Sequence, residues 1–187
     1  YNKNKLDKFV LNCDIIVHLA GINRDENQNY IYSKNVELAD NLIDSFLRTN
    51  FNGKLIFSSS VQESKENSFG ISKKICSTKF IKWAKSNQAV ANCLIIPNVF
   101  GPFCKPNYNS VIATFCYKLI NNEKPEILND QIINLIYIDG LIKNIIDCFS
   151  NNITQSIKID HEFEFKVSEI LCLLKNYNEN YIKKGII

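Results

Sequence analysis

The sequence predicts an α/β fold built on a doubly wound parallel sheet, and three observations carry that prediction. Short apolar runs of strand length alternate with longer stretches of helical periodicity. The first of these runs is apolar almost throughout, as a strand buried on both faces of a parallel sheet is. Small residues or hydroxyls follow the early runs, where the backbone must turn toward a helix.

Residues 5–12 read as the end of a helix or a loop, and Asp14-Ile15-Ile16-Val17-His18-Leu19 as a strand buried on both faces. That strand ends at Ala20-Gly21. A helix follows at about 33–49, with Val36, Leu38, Leu42, Ile43, Phe46 and Leu47 inward. Strand 54–58 leads to helix 70–86, whose predicted buried set is Ile71, Ile75, Phe80, Ile81 and Trp83. Strand 92–96 runs into a loop holding three of the four prolines, then a helix over 110–120. Beyond lie an extended run at 132–138, a helix at 141–149, a short strand near 157–159 and a helix near 166–176. The predicted division is 1–150 as the main domain and 151–187 as a small C-terminal α/β segment on the substrate side.

At 187 residues the chain is long enough for one domain with a true core. A net charge of +3, with basic residues scattered, argues against a nucleic-acid partner. No apolar run approaches the roughly 20 residues of a membrane span. The seven cysteines form no C-x-x-C pair, and their odd number fits reduced thiols in a cytoplasmic protein. Neither they nor Asp14, Asp139 and His161 have metal-ligand spacing, so no metal is predicted. The chain contains no methionine and opens on Asn- and Lys-rich residues, so it reads as a piece of a longer protein.

The chemistry is concentrated in one stretch. Ser58-Ser59-Ser60 closes an apolar strand; Phe69 follows nine residues later and Lys73 four after that. Positions 69 and 73 fall one turn apart on one helix face. Alone, the serines are a polar strand exit and Lys73 an exposed helix lysine. His18, in an apolar strand, reads as structural rather than as a general base.

Together, these residues resemble the extended short-chain dehydrogenases/reductases, the NAD-dependent epimerase/dehydratase family, in which a serine precedes Tyr-x-x-x-Lys. His18-Leu19-Ala20-Gly21, Asn35-Val36 and Pro97-Asn98-Val99-Phe100-Gly101-Pro102 resemble further blocks of that family. Gly21-Ile22-Asn23-Arg24, Cys104 through Tyr117 and Leu128-Asn129-Asp130 look like the capsular-polysaccharide reductases of the CapF type. The resemblance implies a Rossmann-like fold. None of the six glycines makes the family's Gly-x-x-Gly-x-x-Gly turn, so the first βαβ half is expected to be missing here.

It also implies roles. Ser60, Phe69 (at the tyrosine position) and Lys73 would be the catalytic set. His18, Leu19, Ala20, Gly21, Asn35, Ser58, Lys73, Pro97, Asn98 and Val99 would border NAD or NADP. Both cofactors are carried forward, because the residue that separates them follows a strand this sequence does not show. Arg24, Cys104, Asn107, Tyr108, Asn109, Ser110 and Gln131 would face a nucleotide sugar. Cys104 on its own reads as a small apolar residue lining a loop, with an activated thiol as the alternative. Those relatives reduce a 4-keto-6-deoxy UDP-amino sugar with NADPH and carry a C-terminal metal-binding cupin domain without counterpart here. A homodimer through helices 33–49 and 70–86 is implied as well.

Three positions depart from the pattern. Phe69 replaces the proton-relay tyrosine, and Gln131 and Ile95 stand where arginines are expected. The sequence therefore supports an impaired nucleotide-sugar reductase, epimerase or dehydratase, a non-catalytic homologue used for binding or dimerisation, or a gene fragment without activity.

Overall fold

The computed structural model describes residues 2–185. Its elements run α1 (Lys3–Val10), β1 (Ile15–His18), α2 (Gln28–Thr49), β2 (Lys54–Ser60), α3 (Ser68–Ser86), β3 (Val90–Ile96), β4 (Asn98–Phe100) and α4 (Val111–Ile120). The chain continues through β5 (Ile132–Tyr137), α5 (Ile138–Asp147), β6 (Gln155–Lys158), β7 (Phe163–Lys166) and α6 (Val167–Tyr177). A single 3-10 turn, Val61–Ser64, links β2 to α3, and a π-helical segment, Asn178–Lys183, follows α6.

Two compact units result. One comprises residues 1–96 with 142–159, the other 97–141 with 160–187. The sequence reading divides the chain at 150; the units divide it differently because β6, at 155–158, pairs with β3 of the first sheet. In the first unit the sheet order is β1-β2-β3-β6, parallel throughout. In the second, β4 pairs parallel with β5, and β5 pairs antiparallel with β7.

The core of the first unit joins α1, α2 and α3 to one sheet face, with Ile16, Leu55, Phe57, Phe80, Ala91 and Cys93 in one cluster. Phe46 and Trp83 lie 4.4 Å apart between ring centroids, and Phe51 stacks against both. Burial of each such ring contributes about 2–3 kcal/mol. In the second unit, Phe115, Leu135, Val167, Ile170 and Leu171 form a smaller core.

Several predictions need correction. Of β1, only Ile16 is buried, and Val17 is 37% exposed. Among the described residues β1 lies at the sheet edge, and the helical cluster covers only the Ile16 side. Helix α2 begins at Gln28, five residues earlier than predicted, because Asn27 accepts from the amides of Asn29 and Tyr30. Leu47 and Ile71, placed in the core by periodicity, are 52% and 41% exposed. Their helices turn smaller residues inward instead: Asn35, Ala39 and Ser45 on α2, Ser72, Cys76 and Ser77 on α3. Strands β4 and β7 escape the sequence reading, although Phe163-Glu164-Phe165-Lys166 alternates as a half-buried strand should.

Candidate active site at the end of β2

The site residues of the first unit converge where β1 and β2 end. Parallel register sets Ile15 to His18 beside Lys54 to Phe57, so the strands deliver His18 and Ser58 to the same edge. The Ser58 hydroxyl donates to the His18 carbonyl at 3.2 Å. The Lys73 ammonium donates to the Ser58 carbonyl at 2.7 Å. That lysine is only 6% exposed, lies 4.7 Å from the centroid of the Phe57 ring and 5.6 Å from that of Phe69. Two ring faces and one carbonyl thus hold the cation.

Burial sets its acidity. Removal from water pushes the Lys73 pKa down to about 8, against the partial support of the negative charges that Cys76 and Glu63 can carry. Burial likewise lowers His18 to about 4, with the Lys73 charge adding to it. Its ring stacks on Phe57 and meets Phe80 edge-on, so it sits neutral as a packing group. This agrees with its structural reading.

Asn35 joins the two helices to the loop after β1. Its Oδ1 accepts from the Ile22 amide at 2.7 Å, while Nδ2 donates to the Ile22 carbonyl at 2.8 Å and to Ser72 Oγ at 3.0 Å. Ser72 in turn donates to the Phe69 carbonyl at 2.7 Å. A polar chain therefore runs from the loop to the first turn of α3. Gly21 lies within this arrangement: a Cβ there would come 3.2 Å from Asn35 Oδ1 and 3.4 Å from Lys73 Nζ. The glycine leaves a small cradle in front of the ammonium. Leu19, Ala20 and Gly21 are exposed.

Ser60 is half-buried, and its Oγ accepts from the Gln62 amide at 3.2 Å, capping the 3-10 turn. The hydroxyl proton remains free to donate. Phe69 offers a ring and no hydroxyl.

The other predicted residues have simpler settings. Arg24, in the first unit, is exposed. The remainder belong to the second unit. Pro97 is buried; Asn98 and Val99 lie on β4, where Asn98 donates to the Asn134 carbonyl at 3.1 Å. Cys104 is half-buried in the following loop, and Tyr108 carries Lys105 5.6 Å from its ring centroid. Asn107 and Asn109 are left-handed, at φ 56° and 55°. Ser110 caps α4 through the Ala113 amide at 3.2 Å, and Gln131 is exposed, its carbonyl accepting from the Val167 amide.

Two residues of the site were missed from the sequence. Ser72 and Glu63 look like ordinary helix and turn polar groups, and only the packing of α3 against α2 and against the turn after β2 brings Ser72 to Asn35 and Glu63 to Ser77. Among the described residues no group of three or more His, Cys, Asp or Glu side chains could hold a metal ion. No described helix is long and apolar enough to cross a membrane. Lys73 gives one of its three N–H bonds to Ser58, and among the described residues the other two are left on the side of the Gly21 cradle and the exposed backbone at 19–21.

The sequence pattern of the NAD dependent epimerase/dehydratase family matches residues 1–152. A UDP-2-acetamido-2,6-beta-L-arabino-hexul-4-ose reductase from Pseudomonas aeruginosa is 28% identical over 164 residues, which is 87% of this chain and 44% of that protein. The crystal structure of the capsular polysaccharide assembling protein CapF from Staphylococcus aureus matches with a TM-score of 0.80 at 28% identity, over 96% of this chain and 49% of CapF. The UDP-N-acetylglucosamine 4-epimerase from Bacillus cereus, at 18% identity and a TM-score of 0.84 over 96% of this chain and 68% of its own, shares the fold. The chain spans about half the length of the curated reductase and of CapF.

Proposed function

The chain belongs to the NAD dependent epimerase/dehydratase family, and from that membership we propose that it processes a nucleotide sugar for surface-polysaccharide synthesis in the cytoplasm. The specific reaction is NAD(P)H-dependent reduction of a 4-keto-6-deoxy UDP-sugar, with epimerisation or dehydration as sister chemistries. The observation that carries this reading is the setting of Lys73, buried one turn from Phe69 and bonded to the Ser58 carbonyl beside the Gly21 cradle.

When bound, the nicotinamide would supply or accept hydride at the sugar C4. Lys73 would hold the adjoining ribose through the N–H bonds that Ser58 does not take. Ser60 donates its hydroxyl proton in a hydrogen bond to the sugar carbonyl oxygen, and Asn35 keeps the loop after β1 in place. His18 to Gly21, Ser58 and Pro97 to Val99 border the cofactor in this reading. Arg24, Cys104, Asn107, Tyr108, Asn109, Ser110 and Gln131 are assigned to the sugar nucleotide.

Phe69 favours a second reading, a non-catalytic homologue that binds or dimerises, because the ring it sets beside Lys73 has no hydroxyl to deliver the proton. Loss of a general acid costs about 10²–10⁴-fold in rate. NADPH oxidation with a 4-keto-6-deoxy UDP-sugar, wild type against Phe69→Tyr, separates the two. A rise of about that size in the tyrosine variant supports the reductase; no turnover in either, with cofactor still bound, leaves the binding reading. Dimerisation through α2 and α3 belongs to both. Support for it comes from Leu47 and Ile71, exposed on those helices, and a monomeric mass by light scattering would remove it.

A further inference from the structure

Glu63 stands in the 3-10 turn directly after Ser60 and is half-buried. Its Oε1 accepts from the Ser77 hydroxyl at 2.7 Å and also from the Ser59 hydroxyl. Both serines are 4% exposed. Ser59 sits in β2 between Ser58, whose carbonyl takes the Lys73 ammonium, and Ser60. Ser77 lies one helical turn beyond Lys73 on α3. One carboxylate oxygen thus gathers a hydroxyl from the strand and a hydroxyl from the helix, each adjacent to, or one turn from, a residue of the site.

A second contact fixes the same joint from the other side. A Cβ on Gly70 would lie 2.0 Å from the Gln62 carbonyl oxygen, so the turn and the start of α3 meet backbone to backbone. Asn67 caps that helix start at the Gly70 amide, 2.8 Å away. The turn is therefore clamped to α3 at Gly70 and, through Glu63, at Ser77, with Lys73 between these two points of the helix.

We propose that Glu63 is a positioning residue that acts through Ser59 and Ser77, holding the Ser60-bearing turn and the Lys73-bearing helix in one register. This role rests on the reading of Ser60 and Lys73 as the working residues of the site. Packing alone would be served as well by a neutral amide. The carboxylate adds a charge that favours the Lys73 ammonium against its burial.

The test reads that charge directly. The reactivity of Lys73 toward acetic anhydride is followed by peptide mass spectrometry from neutral to alkaline pH in the wild type, Glu63→Gln and Glu63→Asp. In Glu63→Gln the titration midpoint of Lys73 is expected to fall by about half a pH unit, making the amine about threefold more reactive below the midpoint. Glu63→Asp, which keeps the charge, is expected to titrate like the wild type. A folded Glu63→Gln protein with an unmoved midpoint overturns the proposal. Should Glu63→Gln fail to fold, Glu63→Ala removes the same charge, and its midpoint is expected to fall likewise; an unmoved midpoint there overturns the proposal too. A lowered midpoint together with no NADPH turnover in Phe69→Tyr would sink the reductase reading and leave Glu63 holding a Lys73 that only binds the cofactor. An unmoved midpoint in a protein that does turn over would sink the Glu63 role alone.

Discussion

Replacing Lys73 by methionine should change the way stability depends on pH more than it changes stability at any one pH. The lysine titrates at about 8 in the folded chain against an ordinary 10.5, because burial disfavours its charge. That difference corresponds to about 3 kcal/mol. Between these two pH values the unfolded chain holds more protons than the folded one, so stability rises with pH across the window. Below about 8 the folded state bears the full cost of the buried ammonium. Above about 10.5 it bears none. Methionine keeps the length and apolar character of the side chain and removes the titration, but it leaves the Ser58 carbonyl without its donor, a loss of about 1–3 kcal/mol. At neutral pH these effects offset, and the variant should be nearly as stable as the wild type. By pH 10.5 the wild type should lead by about 3 kcal/mol more than it does at neutrality. The assay is urea denaturation at a series of pH values in both proteins, taking the difference between the two curves. Cys76, which burial pushes up to about 11, titrates in both and cancels to first order. Two curves that stay parallel from neutral pH to 10.5 would refute the account of Lys73 as a buried, desolvated cation.

Two further outcomes follow from the same site. Asn35→Ala removes three hydrogen bonds, two to the Ile22 backbone and a buried one to Ser72; a loss of about 3 kcal/mol is expected in denaturant unfolding, and a loss within experimental error would deny the loop any dependence on Asn35. His18 titrates at about 4 when folded and 6.5 when unfolded, so its protonation in the unfolded chain should erode stability as pH falls from 6.5 toward 4. His18→Phe should flatten that acid limb, and an unchanged limb would assign it to other groups.

The alternation of strands and helices was legible because hydrophobic periodicity reports which residues leave water, and here it tracks nearly every element. It failed where burial depends on a neighbour. Val17 has the composition of a doubly buried strand residue, yet the structure leaves its face open. Ile71 and Leu47 occupy apolar positions whose helices bury serine and asparagine instead. The small polar residues are drawn in by specific partners, such as Asn35 for Ile22 or Ser77 for Glu63, and a hydropathy pattern carries no such information. Lys73 and Ser60 were found through the family pattern that their stretch resembles, whereas Ser72 and Glu63 were not. Their partners lie elsewhere in the chain, in the Asn35 amide and in serines of β2 and α3.

The aromatic cluster of the first unit has a practical consequence. Trp83 is the chain's single tryptophan, stacked among Phe46 and Phe51, 4% exposed and with no hydrogen-bond partner for its Nε1 among the described residues. An indole in so apolar a setting emits at short wavelength and shifts to the red when water reaches it. The second unit has tyrosines and no tryptophan. Selective excitation of the indole therefore gives a light signal that belongs to one unit alone, so the melting of the lysine-bearing unit can be watched while the other stays dark.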